Sequence, residues 1–456
     1  MKIIILGSGQ IGTILAEFLL TEDNDITVVD NNELYLFRLQ DRLDLRVVVG
    51  HAAYPEVLRE AGAEEADILI AATHSDEINM IACQISYSFF SIPKKIASIQ
   101  SIDYIKVENK IFSNNEEYIN HFIHPEKMII KYLISLVKYP TISKVIYLFD
   151  DIIVLSVIQV SDNSNLVGIS ISDIKNKISG IYFLIPVVIR NAIPFFSTSS
   201  TILKINDEFF LLCFSKYFLQ LMQQLKYVTK KKNKNIILAG GGKIGFGLAH
   251  ILEKKYNIKV IELNQKRAKK ISRNLLNSTV FFGNASDVRL LSEENINNTD
   301  IFISITNNDE VNIISAIIAK KMGSKKVIAL VNNKRYLELV NFSKNIDQII
   351  FPQELIVSEL LNYIRPPHII SKFFLQIGEI EVIEILVKRN KNTNFIIGSL
   401  LSEITFPPGA MLFTIIRYNN IIISNDNFDN VRIEEEDHLI VLLTNRISIR
   451  DIEKLF

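Results

Sequence analysis

Short apolar runs alternate with longer stretches of helical periodicity at the start of the chain. Runs of continuous apolar residues separated by helices are typical of a parallel sheet buried on both faces, because right-handed crossovers place helices on each side. The runs are Ile3–Leu6, Ile26–Val29, Arg46–Val49, Ile68–Ala71 and Ile96–Ile99. The first helix is expected to face this sheet through the stripe Ile11, Ile14, Leu15, Phe18 and Leu19. The pattern predicts an α/β domain with a Rossmann-like sheet.

The same pattern returns in the second half of the chain. The segment KIIILGSGQIG at residues 2–12 is matched by NIILAGGGKIG at residues 235–245. Further landmarks keep nearly the same spacing in both copies: an acid that ends the second run, a threonine that ends the fourth, and a D-E-x-N segment. The pairs are Gly7/Gly240, Gly9/Gly242, Gly12/Gly245, Asp30/Glu262, Thr73/Thr306 and Asn79/Asn312. We interpret this as a duplicated domain.

A smaller unit follows each copy. Each contains a glycine, an aspartate later in the unit, several apolar runs and one short helix, near residues 170–177 or 399–404. The prediction is therefore two Rossmann-like domains, each followed by a small α+β domain. The predicted limits are 1–124 and 141–228 for the first half, and 233–352 and 370–456 for the second. The lysine-rich segment TKKKNKN, residues 229–235, is expected to be the solvated linker between the halves.

The amino-acid composition argues against several classes of function. The chain has 456 residues with 50 basic and 50 acidic side chains, so we expect no nucleic-acid binding through bulk charge. Cys83 and Cys213 have no metal-ligand spacing, which argues against a disulfide framework or a zinc site. Every apolar run is shorter than the roughly 20 residues that a membrane span needs, so no direct membrane span is expected.

The glycine pattern after the first run has the chemistry of a nucleotide-binding turn. Gly7 permits a tight turn, Gly9 lets the main chain approach phosphate groups, and Gly12 lets the following helix pack on the sheet. The N-terminus of that helix would face the pyrophosphate. Asp30, at the end of the next strand, is expected to accept hydrogen bonds from ribose hydroxyls and to repel a 2′-phosphate. These features favour NAD(H) over NADP(H).

Thr73 and Thr306 end the fourth strand of each copy and precede a polar loop that enters a helix. Open parallel sheets bind ligands at the carboxyl ends of their strands, so the hydroxyls and loop amides are candidates for contacts with ribose or phosphate. Ser75 and Asp309 are alternatively simple helix caps. Both interpretations can hold together.

The candidates for catalysis are few. His74 is the one side chain beside the expected nucleotide that could move a proton, and a hydrogen bond to the ligand or a solvated position suits it better. The sequence shows no nucleophile–base pair and no carboxylate cluster for a metal. We therefore predict a non-enzymatic protein without catalytic residues. The alternatives are an NAD-dependent dehydrogenase with two nucleotide-binding halves and a structural adaptor with empty clefts.

Two amphipathic segments, residues 125–139 and 352–364, lie where a Rossmann-like unit ends and the small unit has yet to begin. Each is expected to pack on its own sheet or to cross to a second subunit or half. Their apolar stripes are Ile129, Tyr132, Leu133, Leu136 and Val137 in the first, and Ile356, Val357, Leu360, Leu361 and Ile364 in the second.

Several motifs in this order resemble the regulator-of-potassium-conductance (RCK, or KTN) family, in particular its tandem TrkA-type members. They are KIIILGSGQIG, VLREAGAEEADILIAAT, SDEINMIACQ, AGGGKIG, VFFGNASD and ITNNDEVNI, and the resemblance covers essentially the whole chain. It implies a regulatory protein that binds NAD(H), or ATP and ADP in some members. It also implies a homo-oligomeric ring at the cytoplasmic face of the inner membrane, beneath a potassium-transporting subunit of the TrkH/TrkG type.

The resemblance also implies two sets of cofactor-binding residues. The first set is Gly7, Ser8, Gly9, Gln10, Ile11, Gly12, Asp30, Thr73, His74 and Ser98. The second set is Gly240, Gly241, Gly242, Lys243, Ile244, Gly245, Glu262, Thr306 and Asn307. Ser98 and Gln100 stand where family members often carry arginine, so a strong phosphate donor is missing from the first site. Lys243 supplies a cation in the second turn.

Overall fold

A computed structural model describes most of the chain. The described residues are 1–20, 24–101, 103–104, 118–139, 142–149, 152–161, 164–191, 193–227, 234–333, 335–336, 345–364, 369–376, 380–389, 396–417, 421–424, 431–444 and 452. Residues 229–233 of the predicted linker lie outside them, whereas Lys234 and Asn235 are described, and Asn235 already begins a strand.

The first Rossmann-like domain is a parallel sheet of six described strands in the order β3-β2-β1-β4-β5-β6. Its strands are β1 (Lys2–Leu6), β2 (Asp25–Asp30), β3 (Arg46–Val49), β4 (Ile68–Ala71), β5 (Lys94–Ser98) and β6 (His121–Ile123). Its helices are α1 (Gln10–Leu20), α2 (Glu33–Gln40), α3 (Pro55–Glu60) and α4 (Asp76–Phe90), with a 3-10 turn at Ala63–Glu65. The central strands β1 and β4 are apolar and buried, as the continuous runs predict.

A helix and a small antiparallel domain follow. The helix is α5 (Pro125–Lys138). The strands are β7 (Ile142–Leu148), β8 (Ile153–Gln159), β9 (Phe183–Leu184), β10 (Val187–Arg190), β11 (Ile193–Phe196) and β12 (Glu208–Phe214), with helices α6 (Ile171–Lys177) and α7 (Ser215–Gln224). The main sheet has the order β11-β10-β12-β8-β7, and β9 pairs with β12.

The second Rossmann-like domain repeats the first, strand for strand, in the order β15-β14-β13-β16-β17-β18. Its strands are β13 (Asn235–Ala239), β14 (Asn257–Glu262), β15 (Thr279–Phe282), β16 (Ile301–Ser304), β17 (Lys326–Leu330) and β18 (Gln348–Ile350). Its helices are α8 (Lys243–Leu252), α9 (Gln265–Asn274), α10 (Val288–Glu293) and α11 (Asp309–Lys321), with a 3-10 turn at Ile296–Asn298.

The second small domain also repeats its counterpart, with antiparallel strands in the order β19-β20-β23-β21-β22. It is preceded by α12 (Pro352–Ile364) and contains β19 (Ile369–Gln376), β20 (Ile380–Leu386), β21 (Ala410–Arg417), β22 (Ile421–Ser424) and β23 (His438–Thr444). The short helix expected near residues 399–404 is a 3-10 turn at Leu401–Glu403. The fold class, two Rossmann-like domains each followed by a small α+β domain, is confirmed.

The buried face of α1 differs from the predicted stripe. The residues of α1 that are buried are Gly12, Leu15, Ala16 and Leu19. The larger side chains Ile11, Ile14 and Phe18 are half-buried. A helix that approaches a sheet closely needs small residues at the contact, so Gly12 and Ala16 take the central positions that hydrophobicity alone gives to isoleucine and phenylalanine.

The two amphipathic helices are exchanged between the halves. The described residues up to Met128 form one compact unit with α12 from Gln353 onward, and α5 from Ile129 onward belongs to the unit that contains the second Rossmann-like domain. At one end of α5, the Lys234 ammonium donates to the Val137 main-chain oxygen at 2.6 Å. A Cβ atom on Gly247 would lie 2.7 Å from Ile130 Cδ1, so α5 lies closely against α8. Of the two packing alternatives, crossing to the other half is the one observed.

Candidate functional site

The first glycine turn leaves β1 in a conformation that only glycine adopts easily. Gly7 has a φ of +109°, and a Cβ atom there would lie 2.8 Å from the main-chain oxygen of Ala72. The amide of Gly7 donates to the oxygen of Val29 at 2.8 Å. The turn therefore crosses the carboxyl ends of β2 and β4, where open parallel sheets bind ligands.

The next two glycines have different surroundings. A Cβ atom on Gly12 would lie 1.9 Å from the oxygen of Gly7, so the helix can follow the turn this closely only with glycine there. At Gly9, by contrast, no described atom lies within 4 Å of the Cβ position. The main chain is thus open at Gly9, just before α1 begins at Gln10. An anion can approach the amides at this helix start, where the helix dipole favours negative charge.

Asp30, at the end of β2, is bound to the turn. One carboxylate oxygen accepts from the Ser8 amide at 2.6 Å and from the Ser8 hydroxyl at 2.8 Å. The other oxygen accepts from the Asn32 amide at 2.9 Å. The carboxylate is half-buried, and two oxygens offer about four acceptor positions, so one remains for a ligand hydroxyl.

Thr73, two residues after the end of β4, uses its hydroxyl within the protein. It donates to Asn79 Oδ1 at 2.7 Å and accepts from the Ser75 amide at 3.3 Å. The amide of Ser75 thus meets Thr73, while the Ser75 hydroxyl caps α4 by accepting from Ile78 N. The interpretation of Ser75 as a helix cap therefore holds, and the Thr73 hydroxyl has a structural role.

Asn79 connects parts of the first site, a role that the sequence alone did not predict. Its side chain is fully buried, at 0% exposure. Besides accepting from Thr73, it donates through Nδ2 to the oxygen of Thr73 at 3.2 Å and to the oxygen of Ser98 at 2.8 Å. Asn79 therefore joins the ends of β4 and β5. Its duplication as Asn312 was the available signal.

The remaining predicted residues of the first site lie around this framework. Ser98 is buried and meets Thr73 through Asn79, whereas His74 is exposed on the loop. Asp76 accepts from the amides of Gln100 at 2.9 Å and Ser101 at 2.7 Å, which fixes the loop after β5. The turn, Asp30 and Thr73 are thus brought together, and His74 lies exposed on the loop next to Thr73.

The second glycine turn has the same backbone design. Gly240 has a φ of +116°, and its Cβ atom would lie 2.8 Å from the oxygen of Ile305. A Cβ atom on Gly245 would lie 1.9 Å from the oxygen of Gly240. Gly242 caps α8 and, like Gly9, has open space around its Cβ position in the described part of the chain. Lys243, the first residue of α8, is exposed, and Ile244 is half-buried.

Glu262 takes the place of Asp30 but is held differently. It accepts from the Gly241 amide at 2.8 Å and from the Asn264 amide at 2.7 Å, and Arg267 Nη1 lies 3.5 Å from its carboxylate. Glu262 is only 5% exposed. A Cβ atom on Gly241 would lie 2.5 Å from Ile271 Cδ1 and 3.1 Å from Glu262 Oε2, so Ile271 and the longer acid together fill the space that a serine side chain occupies in the first turn.

The end of β16 also repeats its counterpart, with one correction. The Thr306 hydroxyl donates to Asn312 Oδ1 at 2.7 Å, and Asn312 Nδ2 donates to the oxygen of Leu330 at 2.9 Å. The prediction that Asp309 caps the following helix is wrong, because the cap is Asn308, which accepts from Val311 N. Asp309 lies one residue inside the helix, and its carboxylate accepts from the Asn332 amide. Asn307 is exposed.

Other reactive groups are scarce in the described residues. No group of three or more histidine, cysteine, aspartate or glutamate side chains among them could hold a metal ion. Burial raises the pKa of the Cys83 thiol to about 12, and that of Cys213 also to about 12, so both stay protonated near neutral pH. Within the same residues, no helix combines the length and the apolar character that crossing a membrane requires.

Comparison with known proteins places this architecture in a family. The family described as the TrkA-N domain matches residues 3–121 and 236–352. The Trk system potassium uptake protein TrkA of Vibrio alginolyticus is 39% identical over 456 residues, which are 100% of this chain and 98% of that protein. The protein of the same name from Haemophilus influenzae is 38% identical, again over 100% of this chain and 98% of its own.

Solved structures share the fold. The crystal structure of the GsuK RCK domain superimposes with a TM-score of 0.64 at 17% identity, covering 100% of this chain and 94% of that one. The GsuK channel bound to NAD gives a TM-score of 0.65 at 17% identity, covering 100% of this chain and 78% of the channel. Identity this low shows a common fold, while the full-length relatives show kinship. The chain belongs to the TrkA family of Trk system potassium uptake proteins.

Proposed function

We propose that this chain is the nucleotide-binding regulatory subunit of a Trk-type potassium uptake system. The observation that carries the proposal is the duplicated glycine turn, each copy with an open main chain at a helix start and an acid at the neighbouring strand end. A full-length relative named for Trk potassium uptake supports the biological setting. The fold neighbour that is titled as bound to NAD supports the ligand class.

Each half would hold one nucleotide. In the first half we propose contacts from Gly7 to Gly12, Asp30, Thr73, His74 and Ser98, and in the second half from Gly240 to Gly245, Glu262, Thr306 and Asn307. The pyrophosphate would lie against Gly9 and Gly242, where the space is open. NAD(H) is the preferred ligand, because a carboxylate beside the ribose disfavours a 2′-phosphate. ATP and ADP are the alternative ligands.

The partner would be a membrane potassium-transporting subunit of the TrkH/TrkG type. We place the chain in a homo-oligomeric ring at the cytoplasmic face of the inner membrane, peripheral to it. The predicted domain limits of 1–124, 141–228, 233–352 and 370–456 are retained within this proposal. Nucleotides would control transport by binding some domain arrangements better than others. Moving such an equilibrium from 1:99 to 99:1 takes about 5.5 kcal/mol of differential binding, which several sites can sum to.

The proposal includes no catalysis. A dehydrogenase would need a proton donor held beside the nicotinamide, and the one candidate, His74, is an exposed loop residue. The relatives quoted above are named for potassium uptake rather than for oxidoreduction. A regulatory ligand needs only binding and release, which the two turns can supply.

The test measures nucleotide binding to the full chain. Calorimetry and thermal unfolding with NADH, NAD+, ATP, ADP and NADPH would be run on the wild type, on Asp30→Asn and on Glu262→Gln. We expect NADH to raise the melting temperature by mass action and each variant to weaken binding at one site. Glu56→Gln, which removes a surface ion pair with Arg59, is the matched control. The proposal fails if no nucleotide binds to the wild type.

A further inference from the structure

The first glycine turn is in contact with a residue supplied by the other half of the sequence. Gln353, the second residue of α12, is 3% exposed. Its Nε2 donates to Gln10 Oε1 at 2.7 Å. Gln10 is the first residue of α1 and follows Gly9, where the main chain is open. One amide from the exchanged helix therefore holds the side chain at the mouth of the first turn.

The far end of α12 is fixed by a separate contact. The Tyr363 ring stacks on the His121 ring of β6, with centroids 3.3 Å apart and 18° between the planes. Glu359 Oε1 lies 3.9 Å from His121 Nε2. Among the described residues, these contacts hold α12 on the first domain near both of its ends, and the Gln353 contact is the one at the glycine turn.

The direction of this hydrogen bond sets the chemistry that Gln10 offers. An amide side chain has an oxygen that accepts and an NH2 group that donates. Because Gln353 donates to the oxygen of Gln10, the NH2 of Gln10 is the part left to serve another group. The reverse orientation would offer an oxygen, which repels a phosphate. In the second turn the equivalent residue is Lys243, which has donors only and needs no such orientation.

We propose that Gln353 is a positioning residue of the first nucleotide site: it orients the Gln10 amide so that its NH2 serves the diphosphate of the bound nucleotide. This rests on the proposed function of the first turn. By linkage, a nucleotide that favours this orientation also favours the Gln353–Gln10 hydrogen bond, so binding strengthens the attachment of α12. The first site would thereby sense a helix that belongs to the other half of the chain.

The experiment compares a diphosphate ligand with one that lacks phosphate. NADH and adenosine affinities would be measured on the full chain in a Gly242→Asp background, because a carboxylate in the open space of the second turn repels phosphate there. Into this background we would introduce Gln353→Ala, Gln10→Ala, and both. We expect each single variant to weaken NADH binding about 3- to 10-fold and to leave adenosine binding within about twofold.

The double variant and two further variants test whether Gln353 orients the Gln10 side chain or only stabilises the attachment of α12. With Gln10→Ala already present, Gln353→Ala should cost no further NADH affinity. Gln353→Glu accepts from Gln10 and turns its oxygen outward, so we expect weaker NADH binding than with Gln353→Ala. Tyr363→Ala loosens the far end of α12 and should lower the melting temperature without a diphosphate-specific loss.

Two results would overturn the inference. The first is an NADH affinity in Gln353→Ala that equals the affinity of the Gly242→Asp parent. The second is a loss of NADH affinity on Gln353→Ala that is equally large in the presence of Gln10 and in the Gln10→Ala variant. Failure of the proposed function looks different, because the parent protein and the wild type would then not bind NADH at all.

Discussion

The two glycine turns share one backbone and differ in the side chains that close it. Both have a positive φ at the first glycine and a third glycine that meets the first at 1.9 Å from its Cβ position. In the first turn a serine meets a short acid, Ser8 with Asp30. In the second a glycine meets a long acid, Gly241 with Glu262.

The acid and the second residue of the turn therefore vary as a pair. The aspartate leaves room for a serine side chain and uses its hydroxyl as an extra donor. The glutamate reaches farther and, with Ile271, fills that room. Both solutions place a carboxylate oxygen within 2.8 Å of the turn amide. The hydrogen bond between the carboxylate and the turn amide is thus present in both turns, whereas the side chains packed around it differ.

Substitutions of the third glycine of each turn test the shared backbone conformation, and we expect them to lower stability the most. Gly12→Ala and Gly245→Ala each place a Cβ atom 1.9 Å from a main-chain oxygen, which cannot move without breaking the turn. We expect each variant to lose more than about 4 kcal/mol of domain stability, measured by urea unfolding. Gly9→Ala and Gly242→Ala, placed in open space, are the controls and should unfold like the wild type. Equal stability of variants and controls would contradict the shared design.

The next prediction concerns the buried asparagines. Asn79→Ala and Asn312→Ala each leave a threonine and two main-chain oxygens without their partner, and we expect a loss of about 2–4 kcal/mol in either half. The control is Asn274→Ala, which loses a single exposed hydrogen bond on α9. Hydrogen exchange at the ends of β4 and β16 would report the loss. Unequal effects would show that the halves use this residue differently.

Lys326, the first residue of β17, should make the stability of the protein depend on pH; its counterpart at the start of β5 is Lys94. Burial lowers the pKa of Lys326 from 10.5 to about 8, although Asp347 opposes the shift. The unfolded chain therefore keeps a proton that the folded chain has lost between these two values, so this lysine makes stability rise with pH across that window. Below pH 8 the cost of the buried charge is fully present.

Lys326→Met should remove both the cost of the buried charge and the rise of stability with pH. We expect the variant to be more stable than the wild type at pH 7, by about 3 kcal/mol at most, with the difference shrinking as the pH approaches 10. Denaturant unfolding of both proteins between pH 7 and 10 checks this. A constant difference across that range would show that the charge of Lys326 is not the cause.

The smallest expected effect exchanges the turn residues. Ser8→Gly loses only the hydroxyl bond to Asp30, about 1 kcal/mol or less. Gly241→Ser places a Cβ atom 2.5 Å from Ile271 Cδ1, a flexible side-chain end, and should cost about 1–2 kcal/mol. Adding Glu262→Asp to Gly241→Ser copies the first turn and should recover part of that loss in thermal unfolding. No recovery would mean that the two residues do not vary as a pair.

Most of the fold could be predicted because its strands are continuous apolar runs. Arg46–Val49 and Ile68–Ala71 form strands with the predicted bounds. The sixth strand of each sheet, such as His121–Ile123, is three residues long and too short to show a period. The partner of each amphipathic helix could not be predicted either. An apolar stripe indicates that this face of the helix is buried, but it does not identify the element that covers it.

The candidate site was predictable at its backbone and less so at its side chains. Glycines at fixed spacing indicate a turn, because few other residues tolerate a positive φ or such a close contact. The cap at Asn308 and the role of Asn79 depend on single polar residues with several possible partners, and only the folded chain selects among them. Whether these residues bind a nucleotide stays a prediction.

The exchange of α5 and α12 makes each half of the chain depend on a helix from the other half. A single half would have to trade this helix with a second copy, so its folding would depend on protein concentration. Fusing two halves supplies the second copy at a fixed, high local concentration. In the tandem chain, the exchange of helices therefore does not require two separate molecules to meet.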